Sequence, residues 1–245
     1  MSREEIILEI PHCPLHTALC LLLMRGLFIT GTDTGVGKTY VAALIARELV
    51  GAGVSVGVYK PVASGCRLED GEIVADDALA LWEGAGFPGT LDKVCPQRFL
   101  APLAPHLAAR EEGKRVDSQL LREGLEAWRG ECDVVLVEGA GGLMSPLSDD
   151  DYNADLALDL GFPLIVVAAN RLGTINATLQ TLVTAAAYGD GLPVAGVILN
   201  QVTPPGDDAS MDSNLAELTE RCGPPVIGAV EWRGGFDREV NWEGL

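Results

Sequence analysis

The stretch GLFITGTDTGVGKTYVAALIA, residues 26–46, decides the fold. Its apolar start, Leu27–Ile29, predicts a buried strand, and apolar residues recur at helical spacing after Thr39. The loop between them ends in Gly37-Lys38-Thr39. A strand, a glycine-rich loop and a helix with Lys and Thr at its start are typical of a phosphate-binding loop. The usual pattern has a glycine where this chain has Thr32, so the loop is a variant of that pattern.

Beyond this loop, apolar runs alternate with segments of helical periodicity. The predicted strands are Leu27–Thr30, Val54–Tyr59, Val134–Val137, Leu164–Ala169, Val194–Leu199 and Val226–Val230. The predicted helices are Lys38–Val50, Asp76–Glu83, Ser118–Trp128, Ile175–Tyr188 and Asn214–Arg221, with Asp117-Ser118 and Asp212-Ser213 as caps. Strands that are apolar at consecutive positions suit a parallel sheet covered on both faces. The alternation predicts an α/β fold that is three-layered, doubly wound, mostly parallel and P-loop NTPase-like. Ligands of such folds bind at the carboxyl ends of the strands.

The phosphate loop offers backbone donors and two polar side chains. We expect its N–H groups to surround nucleotide phosphates at the positive end of the following helix. Lys38 suits the β- and γ-phosphates, and the Thr39 hydroxyl suits Mg²⁺. A glycine-rich turn before an ordinary helix is the alternative, and the Gly-Lys-Thr run favours the phosphate site. The predicted nucleotide-binding residues of this loop are Gly35, Val36, Gly37, Lys38, Thr39 and Tyr40.

Two later strand ends carry charged residues. Lys60 follows the second predicted strand, and lysine is rarely buried without a partner. We therefore expect it to point towards the phosphates, although a lysine that extends from the sheet edge into solvent is the alternative. Glu138 follows four apolar residues in DVVLVEGAGG, residues 133–142, which is a Walker B arrangement. A carboxylate there typically holds Mg²⁺, and the small residues after it let backbone approach a ligand closely.

The remaining strand ends carry weaker signals. Asp76 and Asp77 open a helix, where carboxylates are favoured in any case, so capping is the favoured interpretation. Ser64 is a candidate donor to an anionic substrate. Residues Gly173–Asn176 form a helix N-terminus suited to a carboxylate, and Asn200 is placed to contact a purine edge.

Seven blocks from Met24 onwards occur in the order typical of dethiobiotin synthetases. They are GTDTGVGKT, YKPVASG, DALAL, APHLAA, VEGAGG, RLGTIN and ILNQVTPPG. The chain thus resembles that family, in which Thr is normal at the position of Thr32. The resemblance implies an ATP- and Mg²⁺-dependent cyclo-ligase of biotin biosynthesis. Such an enzyme closes the ureido ring of dethiobiotin from 7,8-diaminopelargonate and CO₂ through a carbamate and a carbamic-phosphoric anhydride.

The same resemblance implies roles for individual residues. Lys38 and Lys60 would be catalytic, neutralising the carbamate and the transferring phosphoryl group, and Thr39, Asp77 and Glu138 would hold Mg²⁺. Asp77 enters the site through the resemblance alone. Further nucleotide-binding residues would be Gly139, Ala140, Gly141, Asn200, Gln201, Val230, Glu231 and Trp232. Substrate would contact Ser64, Gly173, Thr174, Ile175 and Asn176, the last four across a homodimer interface.

Three positions depart from the family pattern. Gly35 replaces an acidic residue found in some members, Ala177 stands where histidine is common, and Glu231 stands where proline is common. These differences bear on how the substrate tail and the nucleotide base are held.

Composition limits the classes of partner. The chain has 245 residues, of which 48% are hydrophobic. This composition predicts one α/β domain, which we place at residues 24–245. An extension of unknown role, residues 1–23, precedes it. The net charge of −18, from 17 basic and 35 acidic residues, disfavours nucleic acid and anionic membranes as partners. The apolar segment at residues 15–24 is short for a membrane span, and the acidic residues before it are unlike a secretory signal.

The six cysteines show no Cys-x-x-Cys pair and match neither a zinc site nor a disulfide framework. We interpret them as reduced thiols of a cytoplasmic protein.

Two related classes are the alternatives. A switch ATPase of the partition and division-site kind would carry a second lysine early in the loop, where this chain has Asp33, and a basic surface or amphipathic tail. An amidoligase of the cobyrinate type would add a glutamine-hydrolysing domain with a nucleophilic cysteine, which this sequence does not show.

Overall fold

The computed structural model describes residues 24–206 and 208–242, so the predicted extension, residues 1–23, lies outside the described residues. Its main sheet has six strands. They are β1 (Gly26–Gly31), β2 (Val56–Tyr59), β5 (Val134–Gly142), β6 (Leu164–Ala169), β7 (Val194–Asn200) and β8 (Val226–Val230). Two short strands, β3 (Arg67–Glu69) and β4 (Glu72–Val74), form a separate antiparallel hairpin.

Helices fill the connections between the strands of the main sheet. They are α1 (Lys38–Gly51), α2 (Asp76–Gly84), α3 (Leu91–Val94), α4 (Pro105–Glu111), α5 (Ser118–Glu123), α6 (Asn153–Leu160), α7 (Thr174–Ala187) and α8 (Met211–Arg221). A 3₁₀ helix, Gly124–Trp128, continues α5. Within the described ranges, no helix has the length and apolar character that crossing a membrane requires.

The strand order β2-β5-β1-β6-β7-β8 places β1 inside the sheet. The chain leaves β1 towards β2 and β5 on one side, then crosses to β6, β7 and β8 on the other, and each of these pairings is parallel. The switch in direction lies at β1, where such sheets bind their ligands. Gly31 pairs with Gly142, so the phosphate loop starts beside the end of β5. The predicted doubly wound fold is confirmed.

The sheet is the centre of the core. Every residue of β2 and β6 is buried, as expected for parallel strands covered on both faces. Phe28 and Ile29 of β1 are fully buried beside them. Because the strands are rigidly packed, the residues that follow them are held at defined positions on one edge.

The predicted helix Ser118–Trp128 is wrong in its second half, because α5 ends at Glu123. The Tyr59 hydroxyl donates to the carbonyls of Leu120, at 2.8 Å, and Leu121, at 3.2 Å. The last turn of α5 thus packs against Tyr59, and the chain continues from Gly124 as a 3₁₀ helix. The predicted cap at Asp117 is confirmed, since its carboxylate accepts from Gln119 N and Leu120 N.

The last predicted helix starts earlier than expected. Helix α8 begins at Met211, so Asp212 and Ser213 lie within its first turn and do not cap it. Instead, the side-chain carboxylate of Asp208 accepts from the N–H of Ser210 at 2.8 Å. The backbone carbonyl of Asp208 accepts from the N–H of Met211 at 3.1 Å. The acceptor that organises this helix start therefore lies in the preceding loop.

Candidate active site

A cavity of about 770 Å³ opens at the carboxyl ends of β1, β2 and β5. Its walls come from the loop after β1, the segment after β2, the start of α2, the segment before α4, and the end of β5 with its following loop. Lys38, Thr39, Lys60, Asp77 and Glu138 all line it. Residues separated by up to about a hundred positions thus meet because their strands are neighbours in the sheet.

The second half of the phosphate loop depends on glycine. Gly35 and Gly37 have φ angles of +74° and +84°, the left-handed region that side chains disfavour. A Cβ on Gly37 would also lie 2.1 Å from Nδ2 of Asn200. That Asn200 nitrogen donates to the carbonyl of Val36 at 2.9 Å, so it fixes the loop from the adjacent strand β7.

The first half of the loop accommodates Thr32 without strain. The N–H of Thr32 donates to the carbonyl of Val167 at 3.0 Å, which continues the pairing of β1 with β6. Thr32 is absent from the described residues with positive φ, so the backbone there does not require glycine. After it, the Asp33 carboxylate accepts from the N–H of Thr34 at 2.7 Å.

Lys60 is buried and held by two acidic side chains. Its Nζ lies 2.5 Å from Oε1 of Glu138 and 3.0 Å from Oδ2 of Asp77, and it donates to the carbonyl of Gly139 at 3.3 Å. Burial alone would lower the pKa of Lys60, but Glu138 and Asp77 outweigh burial and raise it above its ordinary value. Lys60 in turn lowers the pKa of Asp77. The lysine is therefore charged, and it does not extend into solvent from the sheet edge.

Glu138 is buried with one oxygen satisfied and one free. Oε1 accepts from Lys60 and from the Thr39 hydroxyl, the latter at 2.8 Å, whereas Oε2 has no hydrogen-bond partner. Burial raises the pKa of Glu138, and the adjacent Lys60 opposes that rise. A buried carboxylate oxygen without a partner is costly, so this atom indicates a group that binds here.

Thr39, Asp77 and Glu138 form a donor set that fits Mg²⁺. All three present oxygen atoms, the ligands that Mg²⁺ prefers, and all three line the same cavity. The unpartnered Oε2 of Glu138 adds a free position. The residues present therefore fit the ion.

Lys38 is folded back on its own loop. Its Nζ donates to the carbonyl of Asp33 at 3.1 Å. Burial and the nearby Lys60 together lower the pKa of Lys38 to about 8. The negative charge of a polyanion bound in the cavity would raise the pKa of Lys38 again. The positive charge of the loop therefore favours phosphate.

The cavity lining also includes residues that were not singled out from the sequence. Leu103, Ala104 and Pro105 are among them, and the Ser64 hydroxyl donates to the carbonyl of Leu103 at 2.6 Å. Ser145 lines the cavity as well. The block APHLAA was the only signal for Ala104 and Pro105, Leu103 directly precedes it, and Ser145 follows VEGAGG without a pattern of its own.

The predicted base-contact residues lie beside this cavity and do not line it. Gln201 and Val230 are joined by a backbone hydrogen bond of 2.9 Å between the ends of β7 and β8, and Glu231 and Trp232 follow β8. The Tyr40 hydroxyl, which does line the cavity, donates to the carbonyl of Gly234 at 2.7 Å. Helix α1 is thereby tethered to the turn that contains these residues.

The predicted tail-binding residues, Gly173–Asn176, lie apart from the other site residues. They form the start of α7, with Gly173 at φ +94°, and do not line the cavity. The neighbouring Leu172 is 80% exposed, and its N–H donates to the Asp208 carboxylate at 2.6 Å. Within the described residues of one chain, the structure therefore does not bring them to Lys60.

The parallel sheet, the loop with Lys38 and Thr39, and the acidic end of β5 define a P-loop nucleotide-binding protein. A family model described as an AAA domain matches residues 25–240. The ATP-dependent dethiobiotin synthetase BioD of Rhodopirellula baltica is 46% identical, over 85% of this chain and 84% of its own length. The enzyme of the same name from Anaeromyxobacter dehalogenans is 44% identical, over 89% of this chain and 94% of its own length. The chain belongs to the dethiobiotin synthetase family.

Among solved structures, the signal recognition particle receptor FtsY from Elizabethkingia anophelis is similar with a TM-score of 0.46 and 14% identity, over 88% of this chain and 64% of that chain. FtsY from Thermotoga maritima gives a TM-score of 0.45 and 15% identity, over 88% of this chain and 69% of that chain. These similarities are too remote to bear on the activity of this chain.

Proposed function

We propose that this protein is an ATP-dependent dethiobiotin synthetase, which joins 7,8-diaminopelargonate and CO₂ with cleavage of ATP to ADP and phosphate. Membership of the family supports the proposal. The observation that carries it is the buried Lys60, held between Glu138 and Asp77 in the same cavity as Lys38. Two cations beside one phosphate loop suit a complex in which carbamate and phosphate charges meet.

The reaction has three steps. One amine of the diamine adds to CO₂ and releases a proton, which gives a carbamate. A carbamate oxygen then attacks the γ-phosphorus of ATP, and ADP leaves. The second amine attacks the carbonyl of the resulting mixed anhydride, so that the ureido ring closes and phosphate is expelled.

The protein contributes position and charge to these steps. Lys38 is placed to follow the γ-phosphoryl group as it moves, because it belongs to the phosphate loop. Lys60 would neutralise charge where the carbamate meets that group, and its two carboxylate partners hold its ammonium in a fixed position. Ala140 and Gly141, after Glu138, line the same cavity as Ser64 and would border the carbamate end of the diamine together with it.

Thr39, Asp77 and Glu138 would hold Mg²⁺ with the nucleotide. When bound, the ion supplies positive charge to the β- and γ-phosphate oxygens. Tyr40, Asn200, Gln201 and the turn after β8, with Val230, Glu231 and Trp232, would border the base.

A second copy of the chain would supply the site for the substrate tail. Helix α7, sequence TINATLQTLVTAAA, has no charged residue, although the protein has a net charge of −18. Val183 on this helix is 68% exposed, and Leu172, which lies just before the helix, is 80% exposed. An uncharged helix with exposed apolar side chains on it and beside it suits a homodimer interface, which would bring Gly173–Asn176 to the neighbouring cavity.

We also propose that residues 24–245 act as one domain and that the protein works in the cytoplasm. Four described cysteines, Cys66, Cys95, Cys132 and Cys222, are free thiols, which fits a reducing compartment.

The proposal is tested by phosphate release from ATP in the presence and absence of the diamine and bicarbonate, with the organic product measured by mass spectrometry. We expect release that depends on both compounds and a product with the mass of dethiobiotin. Hydrolysis of ATP that is indifferent to the diamine would contradict the proposal and favour a switch ATPase.

A further inference from the structure

Asn153 is a fully buried asparagine beneath the loop that follows Glu138, with 0% of its surface exposed. Its Nδ2 donates to the carbonyls of Ala140, Gly142 and Ser145 at 2.7, 2.8 and 3.2 Å. Its Oδ1 accepts from the N–H of Ala140 at 3.0 Å. One side chain therefore engages both polar groups of the Ala140 backbone and two further carbonyls of the loop.

The loop is packed tightly onto this side chain. A Cβ on Gly139 would lie 2.4 Å from Oδ1 of Asn153, so the backbone passes as close as glycine permits. From the other side, the Ser145 hydroxyl accepts from the N–H of Gly142 at 2.9 Å. Gly141, at φ +79°, would otherwise leave this stretch free to adopt several conformations. Asn153 and Ser145 together select one of them.

This loop forms part of the cavity wall. Ala140, Gly141 and Ser145 line the cavity, whereas Asn153 does not. Asn153 is the first residue of α6 and thus stands on a rigid element. Its contacts require a primary amide, because three carbonyls need N–H donors and one N–H needs an acceptor within the same short side chain. A carboxylate at this position would face three carbonyl oxygens.

We propose that Asn153 is a positioning residue for ring closure, which orients the backbone of Ala140–Gly142 towards the carbamate end of the diamine without touching it. This inference rests on the proposed function. Misplacement of a reacting group by about an ångström can lower a rate about a hundredfold, so a residue that sets this backbone affects turnover from beneath the site. The four hydrogen bonds of Asn153 go to Ala140, Gly142 and Ser145, whereas nucleotide binding depends mainly on residues 35–40 of the adjacent phosphate loop.

The test compares Asn153→Asp and Asn153→Ala with the control Gln97→Glu. Gln97 is 7% exposed, and its amide also donates to and accepts from one backbone residue, Asp117, at 3.1 and 2.8 Å. Its side chain lies outside the cavity lining. Each variant is measured for folded fraction by circular dichroism, for ATP affinity by calorimetry without diamine, and for the kcat and KM of diamine-dependent phosphate release.

We expect both Asn153 variants to lose about a hundredfold in kcat/KM for the diamine per folded molecule, with ATP affinity within a few-fold of the wild type. Gln97→Glu should lose stability with unchanged kinetics per folded molecule. Wild-type kinetics in folded Asn153→Asp, or equal losses in ATP affinity and kcat/KM, would overturn the inference. Failure of both variants to fold would assign Asn153 to stability alone and also overturn it. A wild-type enzyme without diamine-dependent activity would instead contradict the proposed function itself.

Discussion

At the residue scale, Lys60 should separate catalysis from nucleotide binding. Lys60→Gln is expected to leave ATP affinity within a few-fold but to lower turnover roughly a hundredfold or more, the scale for losing one electrostatic stabiliser. The reason is that carbamate and γ-phosphoryl charges meet only in the reacting complex. Calorimetric ATP titration and diamine-dependent phosphate release on the same variant provide the two measurements.

Lys93→Gln is the matched control, since the Lys93 ammonium lies over the ring of Trp128, 5.0 Å from its centroid. Arginine at position 60 should not restore full turnover, because a planar guanidinium differs in shape from a compact ammonium. Turnover of Lys60→Gln equal to that of the wild type would show that the carbamate is stabilised by another group.

Lys38 should make nucleotide binding depend on pH. Its pKa of about 8 in the free protein is low because of burial and Lys60, and bound phosphates should raise it. Above that value the free enzyme is mainly neutral at Lys38, so ATP binding should take up a proton and weaken as pH rises. Calorimetry in two buffers of different ionisation enthalpy, roughly one unit above the pKa, measures that proton. Lys38→Met should abolish the uptake, and a buffer-independent enthalpy in the wild type would contradict the prediction.

At the element scale, the phosphate loop offers a matched pair of glycines. Gly35→Ala introduces only the cost of the left-handed backbone, about 1–2 kcal/mol, because no atom lies within 4 Å of its Cβ position. Gly37→Ala adds a contact of 2.1 Å with Asn200, whose hydrogen bond to Val36 it should break. Urea denaturation without nucleotide should therefore show a larger loss of unfolding free energy for Gly37→Ala. Equal losses would mean that Asn200 moves away without consequence.

At the scale of the whole molecule, α7 should carry the contact between two copies. Val183→Glu places a charge on its exposed apolar side and is expected to give monomers that have lost diamine-dependent activity, because the substrate tail then has no partner site. Sedimentation equilibrium measures the assembly. Val50→Glu is the control, on α1, where Val50 is 39% exposed. A fully active wild-type monomer would refute both the dimer and the shared site.

The sequence alone determined the kind of fold and the groups at its strand ends. Continuous apolar runs, helical periodicity and the run Gly37-Lys38-Thr39 are local signals, and they predicted the parallel sheet and its phosphate loop. Lys60 and Glu138 were conspicuous as charges directly after buried strands. These features are readable because each depends on residues within one element.

Only the tertiary structure decided which of these groups meet. Lys60 and Glu138 are 78 positions apart, and Asn200 and Val36 are 164 apart, yet each pair is in hydrogen-bond contact. The hydrogen bonds of Asn153, and those of Tyr59 with the last turn of α5, likewise join different elements. Strand order creates such contacts, and it reflects the packing of the whole chain. The local pattern around any one residue therefore does not contain them.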